Sequence, residues 1–280
     1  MRPGMRIRES GQGLRRGIAI LPSLFTVANM FCGYCAVVAA SRLEFDLAVT
    51  LVVVAGFMDG LDGRIARMTH TTSEFGVQLD SLTDFLSFGV APAFILYYWA
   101  FEGLQESAWE GRSAWLIPFM LPVAGAIRLA RFNIQVHTGD KRFFVGLAIP
   151  AAAAAAVIPL WFLPPKLEPG MKLAAFGHSL APSWPGIKLA ALGYVVLLSW
   201  LMVSRIRYRS FKQLDMRQRR PNAMVFLLAG LLVAMALYPK PVLLAIALTY
   251  AASGPLGWIW DRTVPHRPAP PLVGGESHGP

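Results

Sequence analysis

Long uncharged runs recur along the chain, each closed by a charge, a proline or a glycine-rich stretch. They lie at Gly17 to Ser41, Phe85 to Phe101, Ser113 to Ile127, Phe143 to Pro165, Leu189 to Ser204, Pro221 to Pro239 and Pro241 to Trp260. An eighth, Phe45 to Arg67, is apolar until aspartates and arginines enter its second half. About 20 apolar residues cross a bilayer as a helix, and arginines or aspartates at the ends of shorter runs suit an interface or a cavity. The pattern predicts an all-α, polytopic membrane bundle of about eight transmembrane helices, a six-helix core followed by two C-terminal helices.

Composition agrees with a membrane class. Hydrophobic residues make up 55% of the 280 and charged residues 15%, with a mean hydropathy of +0.49, too apolar for a soluble domain of this length. The expected organisation is a basic cytoplasmic tail at 1–16, one transmembrane domain at 17–260 and a proline-rich, disordered cytoplasmic tail at 261–280. Arg15 and Arg16 before an apolar run ending in Ala39-Ala40-Ser41 have the outline of a signal peptide. That run exceeds the usual core of about 7 to 15 residues and leads straight into a second helix, so it is read as retained.

The net charge of +10 is mainly a topology signal. With eight helices, Arg42, Arg112, Lys166, Lys172, Lys188 and Lys240 fall on one side and the rest of the 26 lysines and arginines on the other. The positive-inside rule then puts both termini in the cytoplasm, in the cell (inner) membrane, with attraction to anionic membrane lipids as a secondary effect. No nucleic-acid partner is expected, because the basic residues are spread over short loops. The stretch Arg205 to Arg220 is either an interfacial segment or a solvated loop. Cys32 and Cys35 lack a second pair or a nearby histidine and are read as small buried residues. Six alanines, Ala151 to Ala156, predict a helix packed centrally against its neighbours.

Chemistry concentrates in DGLDGRIARMTHTTSEFGVQLDSLTD, Asp59 to Asp84. Charged aspartates in membrane helices are costly, about 2.5 to 3.5 kcal/mol each at the centre, so a cluster of four needs a compensating partner. Helical offsets of three, four and seven put Asp59, Asp62, Gly63 and Ala66 on one side of one helix, and Gly76, Asp80 and Asp84 on one side of the next. A short turn at Thr69 to Ser73 would bring the two faces together. Four ionised carboxylates repel, and two divalent cations would cancel their charge. Oxygen-only ligands favour Mg²⁺ or Mn²⁺ over zinc, and paired metals suit a phosphoryl displacement. Gly63 and Gly76 would let a nucleotide approach the backbone, and Arg67 supplies fixed positive charge for a phosphate.

The pattern Asp59-x2-Asp62-Gly63-x2-Ala66-Arg67-x8-Gly76-x3-Asp80-x3-Asp84 is similar at every position to the signature of the CDP-alcohol phosphatidyltransferase family. LPSLFTVANMFCGYCA, AIRLARFN, FVGLAIPAAA and LMVSRIRYRSFK resemble the membrane-embedded phosphatidylserine synthases of that family, over roughly Leu21 to Arg220, with Ala148 where a second proline is expected. The resemblance implies that Asp59, Asp62 and Asp80 hold metal, and that Asp84 contacts metal and is the catalytic base. It implies CDP contacts from Asp59, Asp62, Gly63, Ala66, Arg67 and Gly76, and a homodimer. The reaction implied moves the phosphatidyl group of CDP-diacylglycerol to L-serine and releases CMP.

Arg128 and Arg131, three residues apart, share a face and with Asn133 end the fourth helix on the motif side. They are candidates for the acceptor carboxylate or a phosphate, or they anchor the helix end. Glycerol 3-phosphate, an inositol phosphate or choline would be served by the same chemistry. A cation transporter would instead place carboxylates near the midplane of several helices, whereas here they cluster at one end of two.

Overall fold

The computed structural model describes residues 10–69, 73–101, 115–138, 144–163, 184–208 and 221–263. Helix α1 (Ser10–Ser41) starts within the stretch read as a tail and turns through Leu43, at φ 62°, into α2 (Phe45–Thr69). α2 returns antiparallel along α1, with alanines at the seam: Ala36, Ala40, Ala48 and Ala55 are fully buried. Small side chains let membrane helices approach closely, and dispersion contacts replace the hydrophobic drive that lipid removes.

Next come α3 (Glu74–Asp84), a π-helical turn (Phe85–Val90) and α4 (Ala91–Phe101), which continue as one helix because both junction residues, Phe85 and Ala91, keep right-handed helical angles. Ser73 caps α3, its hydroxyl accepting from the Gly76 amide at 3.0 Å, which satisfies one of the orphan donors of the first turn. In the π turn the Ser87 hydroxyl donates to the Asn29 carbonyl of α1 at 3.1 Å. A Cβ on Gly33 would overlap the Ser87 backbone, so glycine is what permits this approach.

The chain then forms α5 (Leu116–Thr138), strand β1 (Phe144–Val145), α6 (Ile149–Val157) with a 3₁₀ turn (Ile158–Trp161), α7 (Trp184–Val203), strand β2 (Arg207–Tyr208), α8 (Pro221–Leu237) and α9 (Pro239–Thr263). β1 and β2 pair antiparallel, Phe144 opposite Tyr208 and Val145 opposite Arg207. Gly146, at φ +85°, follows β1, and a Cβ there would meet the Met202 carbonyl. Ala152, Ala153, Ala155 and Ala156 are buried, the central packing that the alanine run predicts.

The expectation of eight transmembrane helices does not hold. Among the described residues four stretches are long and apolar enough to cross a membrane: Ser23–Ser41, Glu74–Ala100, Leu116–Ile134 and Pro239–Trp260. α2 is long but carries Asp46, Asp59, Asp62, Arg64 and Arg67. Ile149–Trp161, Leu189–Val203 and Leu228–Leu237 are apolar but fall short of the roughly 20 residues a crossing needs. The chain is an all-α polytopic membrane bundle with a small strand pair, and its apolar runs overstate the number of crossings. The tails at 1–9 and 264–280, the basic stretch 209–220, most of the Lys166 to Lys188 loop and His70 lie outside the described residues.

Candidate active site

Three of the four motif carboxylates converge. One oxygen each from Asp59, Asp62 and Asp80 lies within 4.8 Å of the others, so two helices meet around a volume that an ion could fill. The offset explains this: Asp59 and Asp62 are one turn apart on α2, and Asp80 occupies the facing turn of α3. Asp84 lies one turn further on, at the end of α3, and its Oδ1 is buried with no partner. A buried acceptor without a donor is costly, and an oxygen-binding cation or a hydroxyl-bearing substrate would supply what is missing. The donor set is all oxygen, which suits a hard divalent cation. The cluster is therefore capable of holding a divalent metal.

Asp62 is only 4% exposed and is oriented by a residue that motif spacing does not reveal: the Thr26 hydroxyl of α1 donates to its Oδ2 at 3.0 Å. One turn along, Asn29 is fully buried with neither side-chain amide atom partnered. Thr83, beside Asp84, is likewise buried with its hydroxyl unpartnered. The signal for the α1 residues was present as two polar residues three apart, on one face of an otherwise apolar helix.

The remaining motif residues fall at different distances from solvent. Gly63 has no atom within 4 Å of where a Cβ would stand, so the groove beside it is open, and Arg67 is exposed. At Gly76 a Cβ would come 3.1 Å from the Ser73 hydroxyl, so this glycine also serves the α3 cap. Ala66 lies on the described backbone of α2.

The candidate acceptor residues separate into two kinds. Arg131 donates to the Val203 carbonyl at 3.1 Å, closing the end of α7, and Asn133 donates to the Ser81 hydroxyl at 3.2 Å, tying α5 to α3. Arg128 is half-buried, and its Nε is buried without a partner. Arg131 and Asn133 are thus engaged in joining helices, whereas the Nε of Arg128 is left unpartnered.

The family model for CDP-alcohol phosphatidyltransferases matches residues 19–203. A CDP-diacylglycerol–serine O-phosphatidyltransferase of Helicobacter pylori is 43% identical over 139 residues, 50% of this chain and 56% of that protein. One from Mycobacterium leprae is 31% identical over 238 residues, 83% of this chain and 72% of its own length. An archaetidylserine synthase of Methanothermobacter thermautotrophicus is 35% identical over 135 residues, 48% of this chain and 54% of that protein. The chain spans little more than half the length of the Helicobacter pylori protein it matches.

Proposed function

The chain belongs to the CDP-alcohol phosphatidyltransferase family, and on that premise we propose that it transfers the phosphatidyl group of CDP-diacylglycerol to the hydroxyl of L-serine, giving phosphatidylserine and CMP. The observation that carries this reading is the convergence of the Asp59, Asp62 and Asp80 carboxylates beside an Asp84 oxygen with no protein partner. Serine as acceptor is supported by the names of several relatives.

In this reading Asp59, Asp62, Asp80 and Asp84 would hold two divalent cations, Mg²⁺ or Mn²⁺, which when bound would supply positive charge against the pyrophosphate and the departing CMP. The residues of the chain do the rest. Asp84 accepts the proton of the serine hydroxyl as that oxygen bonds to the phosphorus bearing the diacylglycerol; the bond from that phosphorus to the CMP oxygen breaks, and CMP leaves with the electron pair. Thr26 keeps Asp62 from rotating out of the cluster. The open face at Gly63, with Ala66, Arg67 and Gly76, receives the cytidine diphosphate, Arg67 meeting its phosphates. Arg128 receives the serine carboxylate, and Arg131 and Asn133 keep the end of α5 in place. Positioning of both reactants, rather than covalent chemistry, is what the protein contributes.

The carboxylate end faces the cytoplasm in this proposal, supported by Arg64, Arg67, Arg128 and Arg131 gathered there. A homodimer belongs to the same reading and is tested by the mass of the particle in detergent. The reaction itself is tested by CMP release from purified protein given CDP-diacylglycerol, a divalent metal and, in turn, serine, glycerol 3-phosphate, an inositol phosphate or choline. Turnover with serine alone, lost on chelation and restored by Mg²⁺ or Mn²⁺, is expected. Turnover with a different acceptor would retain the transferase chemistry and overturn the choice of serine.

A further inference from the structure

On α1 a polar side chain is walled in beside the carboxylates. Asn29 is fully buried, and neither the oxygen nor the nitrogen of its amide has a partner among the described residues. Asp84, across the contact of α1 with α3 and the π turn, likewise has a buried Oδ1 without a donor. We propose that Asn29 binds the acceptor hydroxyl, its amide donating to the oxygen whose proton Asp84 accepts, which makes α1 part of the acceptor subsite. The inference rests on the base role given to Asp84 above.

Two contacts bracket Asn29 along α1. One turn before it, the Thr26 hydroxyl donates to Asp62 at 3.0 Å. One turn after it, Gly33 lies so close to Ser87 that a Cβ would overlap, and the Asn29 carbonyl itself accepts from the Ser87 hydroxyl at 3.1 Å. Offsets of three and four keep Thr26, Asn29 and Gly33 on one face, so the Asn29 side chain stands between Asp62 and the π turn. Helical side chains lean toward the N-terminus, which carries the amide back from Ser87 toward the level of Asp62. α3 runs in the same sense as α1, because α2 reverses between them. Three residues back from Ser87, about 4.5 Å along the axis, stands Asp84. The Asn29 amide and the Asp84 Oδ1 thus lie at one level on helices in contact, and they are not bonded to each other. Thr83, next to Asp84, is a third buried group there, its hydroxyl unpartnered.

An unfilled donor and an unfilled acceptor that do not meet are what a hydroxyl answers. A hydroxyl gives one proton and accepts through its lone pairs, so a single one fills the Asp84 Oδ1 and the Asn29 Nδ2 together. A phosphate or carboxylate oxygen takes the Asn29 donor but leaves Asp84 facing another acceptor, and an ammonium answers Asp84 but not Nδ2. As the proton moves to Asp84 and the oxygen bonds to phosphorus, the Asn29 bond keeps that oxygen in line for attack. Buried polar groups left unbonded are costly, and a site completed by the hydroxyl it serves rejects molecules that lack one.

The test compares Asn29→Leu with wild type in detergent, with serine as substrate and free alanine, which is serine without its hydroxyl, as competing ligand. The kcat/KM for serine is expected to fall at least about tenfold, the loss of one hydrogen bond. The KM for CDP-diacylglycerol and the inhibition constant of free alanine should stay within about twofold, since neither involves that hydroxyl. The melting temperature without substrates should not fall, because leucine removes two unbonded polar atoms from a buried position. Where leucine overpacks and lowers it, the smaller Asn29→Ala carries the same comparison of the two ligands. An unchanged kcat/KM would overturn the proposal, and so would serine and free alanine weakened alike, which would assign the amide to a structural water. If wild type uses another acceptor, the serine reading fails, and that acceptor and its deoxy analogue replace the pair. If no acceptor supports turnover, the transferase reading fails on wild type alone and takes this inference with it, whereas failure of the inference by itself shows only in the variant, against an active wild type.

Discussion

Helix α2 carries aspartate at both ends, and the two ends are balanced in opposite ways. At its start Asp46 is answered within the protein: Lys240 of α9 stands 2.8 Å away, with its Nζ 5.4 Å from the centroid of the Trp161 ring, and the Trp161 indole donates to the Asp46 carbonyl at 3.4 Å. Both charges remain exposed, at 49% and 78%. At the other end, among the described residues, no ion pair reaches Asp59, Asp62, Asp80 or Asp84, although these carboxylates are the more buried ones. A membrane protein tolerates intramembrane charge only when something answers it. One end has its partner in the chain; the other has none among the described residues and is capable of holding a divalent metal. That contrast, more than the number of carboxylates, supports the proposal that the motif end is the site.

The largest effects should come from breaking the open end. Asp84→Asn should lower turnover at least about a hundredfold, the range for loss of a general base, and Asp59→Asn should do so through loss of metal. Neither should lower the melting temperature of metal-free protein, since each removes one charge from a repelling cluster. Thermal unfolding with and without Mg²⁺ or Mn²⁺ checks this, and stabilisation by metal should vanish in Asp59→Asn. A metal-free variant that melts well below wild type would show that the carboxylates are structural.

Gly33→Ala tests the packing beneath the site. A methyl overlapping Ser87 should destabilise by about 1 to 3 kcal/mol, the usual range for overpacking, read as a lower melting temperature with metal dependence retained. Thr26→Val is a smaller and more local change. It removes the 3.0 Å bond to Asp62 and should lower kcat/KM about tenfold, with a higher metal concentration needed for half-maximal rate. Lys240→Ala, at the closed end, should cost under about 1 kcal/mol because the pair is exposed, and should leave turnover unchanged. A large loss of activity there would mean that the two ends of α2 are coupled, and the contrast drawn above would not stand.

The motif was readable because its physics is local: offsets of three and four on two successive helices are enough to bring Asp59, Asp62 and Asp80 together. Thr26, Arg131 and Asn133 were not placed by such reasoning. Their partners lie 36, 72 and 52 residues away in sequence, on helices whose facing positions no single helix encodes. The count of crossings was misread for a different reason. An apolar run states that a segment avoids water, which holds equally for a bilayer span and for Ile149–Trp161, a short helix whose alanines are covered by protein.

The π turn at Phe85–Val90 begins directly after Asp84. Such turns hold one residue more than an α-helical path would, and one residue corresponds to about 100° of rotation. The turn absorbs that extra residue, so Asp80 keeps facing α2 while Ala91–Phe101 stays packed; the same residues on a regular α-helical path would turn Asp80 and Asp84 away from α2 by more than a quarter of a circle. The turn sets the phase between an apolar anchor and a charged face, so one further residue inserted there, with the bulge already used, is expected to swing the carboxylates off α2 while leaving the helices folded.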